Sequence, residues 1–460
     1  MAASTPLDAY LRRHPDTRYL DAILCDLSCV MRGKRYPIGA ADQVFTGGVM
    51  LPGSSLMLSA TGDSLDPKGL GFSDGDPDQI GIPVAGTLVP APWAREPTAQ
   101  TLLTLQGSDA KPCYFEPRNI LAGVLTRFGE LGLRPVVAFE IEFYLVDGAH
   151  HGGRRIRPPR GPLSRQRAAA TQVYSLDRVE DFSACLHAIC DACAGQGIAT
   201  GAVTAEYAPG QFEINLRHSE RPLEAADQCV MFRRVVQGVA RQHGLQATFM
   251  AKPYPAHAGS GLHLHISLVD AAGDNVFAGD GPYGTPECAS LLLLHAIGGL
   301  KRAMAESMAI FAPNINSQRR FAPNHYVPVR PNWGFDNRSV AVRVPKDKQS
   351  KPGATSDRRI EHRVCSADAN PYLALAAVLA GIHFGLENRL EAGRPVRGNA
   401  GAQAHRQIPF DVPGAVEKCR HGRILPAYFG QRYLDVYGEI KLAEYRAFVE
   451  SGQAEAAWYL

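Results

Sequence analysis

Four short segments of the sequence alternate apolar with polar or ionisable residues, which is typical of strands with one apolar and one polar face. They are FEIEF at 139–143, FEINL at 212–216, LHLHISL at 262–268 and RRIEHRV at 358–364. The polar faces would carry Glu140, Glu142, Glu213, Asn215, His263, His265, Ser267, Arg359, Glu361 and Arg363. A half-exposed strand explains one such segment, but the repetition indicates a polar site.

Carboxylates that converge on such faces favour the binding of divalent cations. Two carboxylates on alternate residues of a strand lie roughly 6.5–7 Å apart and repel by about 2.5 kcal/mol at an effective dielectric constant of ~20. The convergent set would be Glu140, Glu142, Glu206, Glu213, Glu361 and His263. Oxygen ligands with a single imidazole suit Mg²⁺ or Mn²⁺ better than Zn²⁺. For His263 and His265 taken alone, ordinary strand-face histidines remain the alternative.

Arginines beside a cation site require an anion between the two sets of charges. The candidates are Arg320, Arg338, Arg343 and Arg363. Guanidinium groups match the oxygens of phosphate and carboxylate groups. Cations and arginines around one anion form the usual layout of phosphoryl transfer.

The common signatures of other enzyme classes are missing from the sequence. There is no GxxxxGK[ST] loop, and Gly259-Ser260-Gly261 precedes a strand rather than a helix, which disfavours P-loop and Rossmann enzymes. Neither GxSxG nor HExxH occurs, so serine hydrolases and the corresponding zinc proteases have no support.

The elements that must position these residues form an α+β chain of 460 residues in two domains. Residues 1–110 read as short strands separated by Gly, Pro and Asp, and residues 111–460 alternate helices with strands. The net charge of +3 is too balanced for binding to nucleic-acid phosphates, and the arginine-rich segment 154–167 favours a solvated loop. No apolar run reaches the roughly 18 residues of a membrane span, and no signal peptide precedes the first domain. We therefore expect a soluble, cytoplasmic protein that binds neither nucleic acid nor membrane.

Six longer segments together resemble the glutamine synthetase family across nearly the whole chain. They are AFEIEFYL at 138–145, EYAPGQFEINL at 206–216, FMAKPYPAHAGSGLHLHISL at 249–268, NSQRRFAPNHYVPV at 316–329, DNRSVAVRVP at 336–345, and RRIEHRV followed by ANPYLALAAVLAG between 358 and 381. Their number and order make the resemblance specific. It implies a β-grasp N-terminal domain and a catalytic domain with a curved antiparallel sheet and flanking helices. It also implies a homo-oligomer, either two stacked hexameric rings or a single hexamer, with active sites between neighbouring subunits.

The resemblance implies a role for each candidate residue. Glu140, His263 and Glu361 resemble ligands of the cation that holds the nucleotide phosphates, and Glu142, Glu206 and Glu213 those of a second cation near the amino-acid substrate. Two or three Mg²⁺ or Mn²⁺ ions and ATP would be the cofactors. Arg320, Arg363 and Gly259 resemble the glutamate site, Arg338 and Arg343 the residues around the transferring phosphoryl group, and His265, Ser267 and Arg343 the ATP site.

Three departures from the family cluster at the subsite for ammonium. An aspartate of the family is replaced by Pro52, a flap glutamate by Tyr326, and a flap asparagine by Ala258. Loss of carboxylates weakens ammonium capture, whereas an aromatic pocket lined by Tyr326 and Trp333 suits an organic amine. Asp78 is the candidate for orienting that amine. The departures resemble the branch of γ-glutamylpolyamine and γ-glutamylmonoamine synthetases.

We therefore expect an ATP-dependent glutamate–amine ligase that acts through γ-glutamyl phosphate, with putrescine as the first candidate amine. A monoamine such as ethanolamine or an alkylamine is the second candidate. A divergent glutamine synthetase, a guanidino kinase and a catalytically silent member of the family remain as alternatives.

Overall fold

The computed structural model describes residues 5–147, 156–167, 171, 173–279, 281, 285, 288–346, 357–452 and 455. Part of the arginine-rich segment, residues 154 and 155, lies outside the described residues. In the described part of this segment, Arg167 forms an ion pair with Asp147.

The N-terminal part of the chain forms a six-stranded sheet. Its strands are β1 (Tyr19–Cys25), β2 (Met31–Pro37), β3 (Val49–Pro52), β4 (Asp78–Pro83), β5 (Val89–Pro90) and β6 (Thr98–Gln106). Helix α1 (Pro6–Arg13) precedes β1 in the sequence, and α2 (Asp42–Thr46) lies between β2 and β3. The strand order is β2-β1-β6-β4-β3, and β5 also pairs with β6. Strands β1 and β6 run parallel, and the other pairs are antiparallel.

The second sheet has eight strands and carries the alternating segments. The strands are β7 (Arg134–Asp147), β8 (Thr200–Ala205), β9 (Gln211–Leu216), β10 (Leu245–Thr248), β11 (Leu262–Val269), β12 (Trp333–Phe335), β13 (Val342–Val344) and β14 (Ile360–His362). Their order is β12-β13-β14-β11-β7-β9-β8, with β10 paired to β7. All pairs are antiparallel except β12 with β13. In β7, residues 137, 139, 141 and 143 are buried and alternate with half-buried ones, as the pattern predicted.

Ten helices accompany this sheet among the described residues. They are α3 (Pro117–Glu130), α4 (Leu176–Asp181), α5 (Ser183–Gly195), α6 (Pro222–Gln242), α7 (Leu291–Phe311), α8 (Ile315–Gln318), α9 (Pro371–Glu387), α10 (Val412–Arg420), α11 (Leu425–Phe429) and α12 (Gln431–Ser451). Helix α9 is buried almost throughout and packs against α7. A Cβ atom on Gly299 would lie 2.0 Å from the carbonyl oxygen of Gly381, so the close contact of these helices depends on glycine. None of the described helices is long and apolar enough to cross a membrane.

The predicted α+β class is confirmed, with two sheets formed by successive parts of the chain. The domain boundary near residue 110 stays a prediction.

Glu116 is a buried carboxylate where β6 meets α3. Its Oε2 accepts hydrogen bonds from the backbone N–H of Leu105 at 2.7 Å, the hydroxyl of Thr104 at 3.0 Å and the side-chain amide of Asn119 at 2.8 Å. Burial raises the pKa of Glu116 to about 8, although these donors lower it. The folded protein therefore holds a proton on this group at pH values where the unfolded chain has lost it.

We expect this group to make the protein less stable as the pH rises from about 4.5 to about 8, because there the folded state binds more protons than the unfolded state. This group lowers the free energy of unfolding by at most about 1.4 kcal/mol per pH unit. Glu116→Gln keeps an acceptor for the three donors but cannot bind or release the proton. Its free energy of unfolding, measured in urea, should therefore fall less steeply with rising pH than that of the unsubstituted protein. Equal slopes in the two proteins would contradict the raised pKa.

Candidate active site

The pairing of the central strands places the polar residues of the alternating segments side by side. Glu140 on β7 lies opposite His263 on β11, and Glu142 lies opposite Glu213 on β9. Glu361 on β14 lies opposite His265. Because directly opposed residues project to the same face of an antiparallel sheet, one face collects these side chains.

Two groups of three side chains on this face have a geometry that could hold a cation. Glu140, His263 and Glu361 have ligand atoms within 4.8 Å of one another, and so do Glu142, Glu213 and His263. His263 therefore reaches both groups. Glu206, which follows β8, is in neither group of three, but its charge interacts with those of Glu142 and Glu140.

The electrostatics of Glu206 and Glu213 fit the binding of divalent cations. Burial, followed by the charges of Glu140 and Glu142, raises the pKa of Glu213 to about 9. Burial and the charge of Glu142 also raise the pKa of Glu206 to about 8, although Arg338 lowers it. The positive charges of the described residues thus do not fully balance the negative charges of these two carboxylates. Hard, oxygen-binding ions such as Mg²⁺ or Mn²⁺ suit this donor set.

Glu140 and Glu361 are held in the ionised form instead. Burial alone would raise the pKa of Glu361, but Arg363, His265, His263 and Arg343 lower it to about 2. In the same way the two histidines outweigh burial and lower the pKa of Glu140. His265 Nε2 lies 3.0 Å from Glu140 Oε1, so this residue borders the first group of ligands.

The four arginines differ in their burial and in the groups that they contact. Arg343 Nη1 lies 2.7 Å from Glu361 Oε2, and Arg363 also forms an ion pair with Glu361. Arg320 is buried and donates to the carbonyl oxygen of Val364 at 2.9 Å. Arg338 lines an open cavity of about 790 Å³ together with Tyr326.

Two of these arginines have donors available to an anionic ligand. The Nε atoms of Arg320 and Arg363 are buried and have no hydrogen-bond partner among the described residues. Gly259 lies against Arg320, and a Cβ atom there would come within 2.8 Å of its Cγ. Buried N–H groups are normally paired, so a carboxylate ligand fits this place.

A second cavity, of about 570 Å³, opens beside the first group of ligands. Glu140, His265 and Ser267 line it together with Arg359, whose Nε donates to His265 Nδ1 at 3.2 Å. Sequence reasoning assigned no role to Arg359, although it shares the strand face of Glu361. The cavity has the size of a nucleotide or drug-sized ligand site.

The open end of the site carries two tyrosines, of which the sequence indicated only one. Tyr326 is 58% exposed, and its ring centroid lies 5.9 Å from that of Tyr207. Tyr207 directly follows Glu206 in the sequence. The order EY at 206–207 is the signal that could have indicated it.

The structure gives different surroundings to the other residues predicted for the amine subsite. Trp333 is 2% exposed and donates from Nε1 to the carbonyl oxygen of Gly393, so it belongs to the core and its prediction as a pocket residue is wrong. Asp78 pairs with Pro52 in the N-terminal sheet, and within the described chain no hydrogen bond or ion pair links it to the carboxylate face. The carbonyl oxygen of Ala258 accepts from the Tyr144 hydroxyl at 2.5 Å.

Known proteins are similar to this chain over most of its length. Residues 115–459 match the glutamine synthetase catalytic domain. The chain is 38% identical to a gamma-glutamylputrescine synthetase of Escherichia coli, over 98% of this chain and 93% of that protein. It is 31% identical to a glutamate–isopropylamine ligase of a Pseudomonas species, over 95% of this chain and 93% of that protein. The solved structure of GmaS without ligand superposes with a TM-score of 0.80 at 26% identity, covering 99% of this chain and 98% of the other.

These matches confirm the glutamine-synthetase-type fold and the resemblance to γ-glutamylamine synthetases that the sequence motifs predicted. The match to the catalytic domain covers most of the chain. The chain therefore belongs to the glutamine synthetase family.

Proposed function

We propose that this protein is an ATP-dependent ligase that joins the γ-carboxylate of L-glutamate to an organic amine, with putrescine as the first candidate. One observation carries the proposal: two groups of side chains that could hold cations lie beside arginines, while Tyr326 lines the cavity of Arg338. The similarity to a gamma-glutamylputrescine synthetase supports the choice of putrescine.

The proposed reaction has two steps. An oxygen of the γ-carboxylate attacks the γ-phosphorus of ATP, the bond to the β-phosphate oxygen breaks, and ADP leaves γ-glutamyl phosphate behind. The amine nitrogen then attacks the γ-carbonyl carbon and gives up a proton, and the C–O bond to phosphate breaks. The products are a γ-glutamylamide, ADP and phosphate.

The arginines hold the reacting groups and stabilise their charge. Arg320 and Arg363 bind the carboxylates of glutamate, for which their buried Nε atoms are suited, and Gly259 leaves room beside its amino group. Arg338 and Arg343 stabilise the transferring phosphoryl group. Such preorganised charges stabilise the charge that develops in the transition state.

The carboxylate face would hold the nucleotide through cations. Glu140, His263 and Glu361 would bind the ion at the ATP phosphates, and Glu142, Glu206 and Glu213 the ion at the glutamate. Bound Mg²⁺ or Mn²⁺ would neutralise phosphate charge. ATP would lie in the cavity of His265 and Ser267, with Arg343 reaching its phosphates.

The assembly belongs to the proposal as well. Asp78 lies in the N-terminal sheet, and active sites between neighbouring subunits would bring this sheet to the amine of the next subunit. We propose a hexamer or a dodecamer of two hexameric rings, in which Asp78 of one subunit orients the amine bound to the next. We also propose a cytoplasmic location, where ATP is available and the ten free cysteines stay reduced.

The test is the release of ADP with ATP, Mg²⁺ and glutamate in the presence of different amines. We expect kcat/KM for putrescine or another organic amine to exceed that for ammonium at least about tenfold, because each buried CH₂ contributes about 0.8 kcal/mol. Spermidine, ethanolamine and isopropylamine at matched concentrations would identify the amine, and reactions without glutamate provide the blank. A preference for ammonium would instead identify a divergent glutamine synthetase.

A monoamine is the second candidate, and the similarity to a glutamate–isopropylamine ligase favours it. A higher kcat/KM for isopropylamine than for putrescine would select it. Cation binding without ADP release on any amine would support a catalytically silent protein instead.

A further inference from the structure

Tyr207 and Tyr326 form an aromatic pair at the open end of the site. Their ring centroids are 5.9 Å apart and the ring planes are tilted by 39°. Tyr207 is 40% exposed and Tyr326 58% exposed, so both rings keep surface available to a ligand. The two residues come from separate loops, one after β8 and one after α8.

The charges around the pair are already engaged with one another. Glu206, next to Tyr207, interacts with Glu142 and Arg338. Asp336, which lines the same cavity as Tyr326, forms an ion pair with Arg343. The described residues around Tyr326 therefore offer no uncommitted carboxylate to a second positive charge on a substrate.

We propose that the exposed ring faces of Tyr207 and Tyr326 bind the distal ammonium of a primary diamine. The face of an aromatic ring attracts a cation through its quadrupole, and pairs of rings are the usual cage for alkylammonium groups. The inference depends on the proposed amine ligase function and specifies its substrate class.

The sharpest test compares putrescine with butylamine, which has the same chain length and ends in a methyl group instead of an ammonium. We expect the unsubstituted protein to prefer putrescine in kcat/KM. Tyr207→Leu keeps an apolar wall and removes the ring, so it should raise KM for putrescine about fivefold to thirtyfold. The same substitution should change KM for butylamine less than about twofold, because apolar contact remains.

Tyr207→Phe is the matched control. It keeps the ring face and loses only the hydroxyl, so the preference for putrescine should persist. Equal effects of Tyr207→Leu on both amines, or no preference in the unsubstituted protein, would overturn the subsite while leaving the ligase function intact.

Calorimetric titration of each amine into the protein with ADP and Mg²⁺ decides the matter without turnover. Tighter binding of putrescine than of butylamine, lost in Tyr207→Leu and kept in Tyr207→Phe, supports the subsite even if the ligase assay fails. Equal binding of the two amines overturns it. The proposed function is judged separately, by ADP release.

Discussion

Glu361→Gln should reduce ADP release at least about 1000-fold at saturating substrates, the largest loss that we expect from a single substitution. Glu361 is 1% exposed and belongs to the first group of cation ligands. It also pairs with Arg343 and Arg363, so it joins the cation side of the site to the arginine side. The amide that replaces it binds a cation weakly, leaves Arg363 without its anion and leaves Arg343 with Asp336 alone.

The measurements must distinguish a loss of catalysis from a loss of the folded structure, because breaking a buried ion pair lowers the stability of the fold by roughly 3–5 kcal/mol. We expect Mn²⁺ binding at least about tenfold weaker, with the near-ultraviolet circular dichroism of a folded protein. Asp336→Asn is the matched control, since Asp336 also pairs with Arg343 but lies outside both groups of ligands. The Asp336→Asn variant should release ADP about tenfold more slowly than the unsubstituted protein and keep its affinity for Mn²⁺. Normal turnover in Glu361→Gln would remove Glu361 from the cation site.

The sequence predicted the carboxylate face because that face depends on a period of two within strands. Once β7, β9, β11 and β14 pair, their polar residues must share one face, and Glu140 opposite His263 is the direct consequence. Fold class and the central residues of the site were thus accessible from the order of residues alone.

The parts that the sequence did not predict depend on how loops approach each other. Tyr207 lies beside Tyr326 only because the turn after β8 meets the loop after α8, more than 110 residues later. Trp333 was assigned to a pocket because aromatic residues suit amines. It is buried in β12, where the indole ring packs against Phe335 and its Nε1 donates to the carbonyl oxygen of Gly393. The local sequence pattern around an aromatic residue does not distinguish a place in a pocket from a place in the core.

Tyr326→Glu should shift the preference of the enzyme from organic amines toward ammonium. A carboxylate at this position would face the open end of the cluster, where Glu206 already lacks full compensation. It would bind a small ammonium through a charge-assisted hydrogen bond, and the same change removes one of the two rings that contact an alkylamine. We expect kcat/KM for ammonium to rise about tenfold and that for butylamine, which has no distal ammonium to pair with the new carboxylate, to fall about tenfold, so that their ratio changes about 100-fold.

Tyr326→Gln separates the two causes of this shift. Glutamine has the length of glutamate without its charge, so it should lower kcat/KM for butylamine through the lost ring and leave that for ammonium nearly unchanged. Tyr326 is exposed, so neither variant should lose much stability, and thermal unfolding checks this. If both variants changed the ratio equally, charge at position 326 would not set the preference between ammonium and amine. The replacement of a flap carboxylate by tyrosine would then act only through the shape of the subsite, and selectivity would have to come from Tyr207 or from the neighbouring subunit.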